Sequence, residues 1–231
     1  MTARTNTDFD SATAHVRSLA YGYLAKGFQK PEEENFEPDK ESFISGWRTL
    51  IECLEDEEKF RPLITRLDES LQNHSYWSLY SQYQYLFDPQ GGIKVSPYET
   101  EYTKETPQHA LCQSYQFADI AGFYKAFGLE VSEDHPERVD HIATELEFMH
   151  VLTCKEVMAL NNDEKEHISI VRDTQNKFIQ DHLGRWAGAF KEKLSKVDQR
   201  GFYSNLGKLL YIWVDFDRQF WWQFGRSEIP Q

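Results

Sequence analysis

Cysteine is scarce in this chain: three in 231 residues. Cys53, Cys112 and Cys154 are widely spaced, odd in number and in no CxxC pair. This argues against a disulfide framework or a structural zinc site and suits a reducing cytosol. Glycine (12) and proline (8) are also few. No Asn-Gly or Asp-Gly pair separates alternating apolar runs, so hairpin-built β architectures fall away. No apolar run is long enough to span a membrane. The opening MTARTNTDFDSATAHV has no basic segment followed by an apolar one, so no signal peptide is expected. Cations are the minority charge, with Lys+Arg 25 against Asp+Glu 38, a formal net charge of −13. Such a surface repels nucleic-acid phosphates and anionic lipid and attracts a basic partner. The reading is a cytoplasmic protein with no nucleic-acid partner and no stable membrane insertion.

The motifs of common chemistries are missing too. There is no GxSxG elbow, no GxxxxGK[ST] loop and no GxGxxG after a strand. HExxH is absent, and His135, His141 and His150 do not combine with nearby glutamates into a three-ligand set at helical spacing. Catalytic residues, metal ligands and cofactors are therefore all expected to be none.

What is present is helix. The chain is 40% hydrophobic and 15% aromatic, enough for a sizeable core. Apolar residues recur at spacings of three and four from Phe9 onward. The pattern gives an all-α bundle of eight or nine helices: a polar tail over 1–8 and a single helical domain over 9–231. One helix is expected from about Ser75 to Phe87, another from Pro107 to about Phe127 closed by Gly128, and others over 164–183, 186–196 and 201–223. Residues 88–106, DPQGGIKVSPYETEYTKET, are the longest stretch without helical period. Such a loop is usually functional or a linker, and it is a natural place for two protomers to exchange a segment, so monomer and homodimer both fit.

Three stretches carry polar or apolar residues in arrangements that suit recognition. In YQYLF, Tyr83, Leu86 and Phe87 share one helix face. In the loop, Pro97-Tyr98-Glu99-Thr100-Glu101-Tyr102 interleaves aromatics and acids. In HPERVDHIATELEFMHVL (135–152), Pro136 suits a first helical position. Glu137 and His141, four apart, then share a face on which the carboxylate would hold the imidazole partly protonated.

Read in order, these stretches resemble the TorD/DmsD/NarJ family of cytoplasmic molybdoenzyme-maturation chaperones, over roughly residues 10–215. YQYLF at 83–87 is similar to the family's aromatic-x-x-Leu-Phe motif. SPYETEY at 96–102 matches its Pro-Tyr-Glu loop. FADIAGFYKAFGLE at 117–130 matches its helix-ending Ala-Asp-x-Tyr-x-x-Phe-Gly-Leu. ERVDHIATELEFM at 137–149 resembles its Glu-x-Pro-Asp-His motif, with Val139 where many members have proline. FIQDHLGRW at 178–186 is a softer fifth match. The Tyr-Glu-Thr-Glu-Tyr form of the loop is similar to the branch serving type II dimethylsulfoxide-reductase-like enzymes.

The resemblance implies a chaperone that binds the twin-arginine signal peptide and apo-form of a molybdopterin-containing catalytic subunit, delaying export until the cofactor is inserted. Under that reading Tyr83, Leu86 and Phe87 line or support an apolar groove. Pro97, Tyr98, Glu99 and Glu101 form its rim, and Glu137, Asp140 and His141 meet the leader's arginines or fix the rim. His141 would make binding pH-dependent. The alternative is a nucleotide-binding or hydrolytic enzyme built on Asp140 and His141.

Overall fold

The computed structural model describes residues 6–34, 36–54, 56–102, 109–130, 137–199 and 201–227. Among them lie nine α-helical segments: α1 (Asn6–Phe28), α2 (Phe36–Ile51), α3 (Glu57–Gln72), α4 (Tyr76–Phe87), α5 (His109–Ala126), α6 (Ile142–Asn161), α7 (Lys165–Phe178), α8 (Gly184–Val197) and α9 (Phe202–Ser227). The all-α expectation holds; the described residues contain no strand, only one isolated antiparallel bridge between Tyr98 and His141.

α1 buries Ala14, Arg17, Tyr21, Leu24 and Phe28, a stripe at helical period that lies along α6. α2 and α3 pack on each other, and α3 and α8 pack on α9. The rings of Tyr21, Trp47 and Phe60 converge on Trp213 at centroid distances of 6.1, 6.4 and 5.9 Å. Burying each such side chain contributes about 1.5–3 kcal/mol. Where α1 ends against α9, a Cβ on Gly27 would sit 2.8 Å from Leu206 Cδ2, so glycine sets how closely the two helices approach.

Within this apolar core sits a charged clip. The Arg17 guanidinium donates to Asp217 Oδ1 at 2.6 Å, Glu156 Oε2 at 2.9 Å and Gln175 Oε1 at 2.6 Å. Tyr21 donates to Asp217 at 2.6 Å, and Arg172 holds the other Glu156 oxygen at 2.6 Å. One side chain thus ties α1 to α6, α7 and α9. Burial alone would lower the Arg17 pKa, but the Asp217 and Glu156 carboxylates outweigh it and hold the proton more firmly than usual.

Helix ends follow local chemistry. Ser75 caps α4 by accepting from the Ser78 N–H. α5 closes with Gly128 at φ 73° and Leu129 N–H bonded to the Tyr124 carbonyl at 3.0 Å, as the 6→1 closure of a helix requires. Pro107, read as that helix's start, lies outside the described residues. α7 and α8 are not separated by the expected break at 184–185. A π-turn over Ile179–Leu183 joins them. Its carbonyl at Ile179 comes so near Gly184 that a Cβ there would strike it.

Candidate docking groove

The loop after α4 is tied down rather than loose. Leu86 O accepts from the N–H groups of Lys94 and Val95, both at 3.0 Å. Residues 97–100 then lie antiparallel to 138–142. Ile142 N–H donates to Pro97 O at 2.8 Å and Glu99 N–H to Asp140 O at 2.9 Å. The Asp140 carboxylate, fully buried, accepts from Thr100 Oγ1 at 2.8 Å and from Arg138 Nε and Nη2 at 3.0 and 2.9 Å. Tyr124 on α5 adds a bond to the Val139 carbonyl at 2.8 Å. Three segments far apart in sequence are thereby fixed at the N-terminus of α6.

Glu99 points inward from this clip. Its carboxylate meets His182 Nδ1 at 3.2 Å, and the π-turn is what carries His182 there. Beside it lies Glu145, which accepts from Trp186 Nε1 at 3.1 Å. Burial, then the charge of Glu99 and a hydrogen bond to it, push the Glu145 carboxyl well above the usual range, so Glu145 keeps its proton beside Glu99. Glu145, His182 and Trp186 were not among the expected site residues. The FIQDHLGRW motif was the available signal for the last two.

In front of the clip opens a groove of about 1160 Å³ between the α1–α2 connection, α4 and the start of α6. Its floor is aromatic, including Tyr76, Tyr80, Tyr83 and Tyr124. Its walls carry six acids, Glu32, Glu33, Asp39, Glu130, Glu137 and Glu147, against three lysines. Of those lysines, Lys26 pairs with Asp39 at 2.9 Å, Lys40 with Glu37 at 2.9 Å, and Lys30 lies over the Tyr80 ring at 5.0 Å. Glu137 is exposed, and partial burial still raises its pKa.

Residues 54–192 match the model of the family described as nitrate reductase delta subunit. The chain belongs to that family. Proteins named chaperone protein TorD are similar over most of its length. That of Shewanella pealeana is 28% identical over 211 residues, covering 88% of this chain and 89% of its own. Those of Vibrio parahaemolyticus and Photobacterium profundum are 25% and 27% identical, covering 90% and 92% of this chain and 94% and 95% of theirs. These relatives are named as chaperones, a role without catalysis.

Placed on this delta-subunit-family fold, the expected site residues divide. Tyr83, Glu137 and His141 line the groove. Leu86 and Phe87 are buried behind it, Phe87 against Tyr203 at 5.2 Å. Pro97, Glu99 and Asp140 are buried in the clip, while Tyr98 and Glu101 are partly exposed. Three sequence expectations are corrected. α6 begins at Ile142 with His141 as its cap, accepting from Ala143 N–H at 3.2 Å, and Pro136 lies outside the described residues. Glu137 and His141 are therefore not paired along a helix. Finally, burial, only partly offset by Asp140, lowers the His141 pKa to about 4. The imidazole stays neutral at physiological pH and does not supply the pH switch expected of it.

Proposed function

We propose that this protein is a cytoplasmic chaperone that receives the twin-arginine signal peptide of a molybdopterin-containing oxidoreductase subunit in the groove. It holds the apo-subunit until its cofactor is inserted and so delays export. The observation that carries this reading is the pairing of an aromatic floor with a wall that has six carboxylates against three lysines. A twin-arginine leader has the complementary halves, a basic segment and an apolar one. Charge steers the encounter and fixes orientation, and apolar burial supplies the holding power. A volume of about 1160 Å³ exceeds the usual small-molecule cleft of about 300–1,000 Å³ and suits a peptide segment.

Calorimetric titration with the leader peptide of a molybdoenzyme, at two salt concentrations and against a Lys-Lys version, tests it. Micromolar binding that weakens with salt is expected. Tyr83→Ala should cost about 2 kcal/mol, as an aromatic anchor does. Glu137→Gln should act mainly on association rate and salt dependence. Failure of every leader to bind, with the protein folded, overturns the reading.

A further inference from the structure

The Asp140 carboxylate is already occupied by an arginine of the same chain. Arg138 presents a two-pronged fork to both carboxylate oxygens, Nε to Oδ1 at 3.0 Å and Nη2 to Oδ2 at 2.9 Å. Nη2 also donates to Thr100 Oγ1 at 3.1 Å. The guanidinium carbon lies 3.9 Å from the Tyr98 ring centroid and 5.0 Å from that of Phe117. A planar cation held edge-on by a carboxylate and a hydroxyl, with aromatic faces beside it, is what guanidinium recognition demands.

The polar walls of this slot are buried while its occupant reaches solvent. Asp140 and Thr100 are fully buried, whereas the Arg138 side chain is 39% exposed. Arg138 also stands in the non-helical run before α6. The slot sits on a ridge. Glu137 and His141 on either side of it line the main groove. Val139 and Phe117 line a second, shallower hollow of about 570 Å³ on α5.

We propose that Asp140, Thr100, Tyr98 and Phe117 form a guanidinium-binding site whose resident ligand, Arg138, yields it to one arginine of the client's leader. The exchange rests on the leader-binding function above; the site itself does not. Arg138 then acts as an internal competitor. It keeps the Asp140 charge compensated while the chaperone is empty, and it raises the dissociation constant of an arginine-bearing leader by the inverse of the fraction of time the slot is free. A lysine cannot take over, because it lacks the fork that meets both oxygens. The site thus adds discrimination between arginine and lysine that a merely acidic wall would not provide.

The test has two arms. In the first, the melting temperature of Arg138→Ala is followed with methylguanidinium or methylammonium added. Methylguanidinium tenfold above its dissociation constant should raise the variant by about 3–6 °C. Methylammonium should not; methylguanidinium should raise the wild type, whose slot is free only about a tenth of the time, by no more than about 1–2 °C, and neither probe should raise the Arg138→Ala, Asp140→Asn double variant. If Arg138→Ala does not fold, Arg138→Lys serves, since it keeps a charge but leaves part of the slot unfilled. In the second arm, a slot that is free about a tenth of the time in the wild type makes Arg138→Ala bind the twin-arginine leader about tenfold tighter, with the Lys-Lys leader unchanged. No rescue in either variant, with leader affinity equal in wild type and variant, overturns the site and leaves the chaperone reading intact. Rescue by methylguanidinium with no leader binding anywhere establishes the site and overturns the client reading.

Discussion

Replacing Glu145 by glutamine should leave the protein's stability nearly unchanged in acid and increase it progressively as pH rises. The wild-type carboxyl is buried against Glu99 and its pKa is raised. Below the unfolded carboxyl value, about 4.3, both states are protonated and the group contributes no pH dependence. Above it the unfolded chain ionises while the folded one keeps its proton, so stability falls by about 1.4 kcal/mol per pH unit until the folded value is reached. Glutamine does not titrate, and its amide reproduces both contacts: the oxygen accepts from Trp186 and the NH2 donates to Glu99. Through that window the variant should gain on the wild type by about 3–6 °C in Tm per pH unit. Glu145→Ala, by contrast, strands the buried Trp186 N–H and should cost about 1–3 kcal/mol at every pH. Urea or thermal melts of the three proteins from mild acid to mild alkali decide it. Other titrating groups are common to all three and cancel in the differences. Parallel curves for Glu145→Gln and wild type would refute the raised Glu145 carboxyl.

His141→Asn keeps a good helix cap for α6 but removes a titration. The wild-type imidazole is lowered from 6.5 to about 4, so about 3 kcal/mol of stability present above pH 6.5 is lost as pH falls through that window. Acid melts should show the variant losing less there. Arg17→Met leaves the Asp217 and Glu156 carboxylates buried without their shared cation and should cost about 3–5 kcal/mol, read as a Tm drop of about 6–20 °C. Gly184→Ala drives a methyl into the Ile179 carbonyl and should cost about 1–3 kcal/mol, with a change in Trp186 fluorescence as the π-turn opens.

Part of the helical frame behind the groove was legible because helical period is a local signal. The stripe Tyr83, Leu86 and Phe87 in α4 and the closure at Gly128 were readable from spacing and residue type alone. The start of α6 misled because Val139 fits the apolar spacing of the helix that follows, while residues 138–141 form a turn whose flanking bonds come from Pro97 and Glu99, some forty positions earlier. Glu99 looked like a rim acid for the same reason. Nothing near it in sequence announces His182, 83 residues away, or the Glu145 carboxyl beside it. Arg17 reads as an ordinary helix-surface charge until α6, α7 and α9 close over it. The π-turn over Ile179–Leu183 replaces the break expected at 184–185, with Gly184 as a local trace.

The Arg17 clip also sets an order of events during synthesis. Its carboxylate partner Asp217 lies 200 residues downstream, and α6, along which α1 packs, begins only at Ile142. At about 5–20 residues per second, α1 waits on the order of 10–40 s for that carboxylate. Until α6 has been made, its Tyr21, Leu24 and Phe28 face lacks most of its native cover. The chain therefore emerges from the ribosome with part of its own core needing shelter, and its charged clip is among the last things its translation completes.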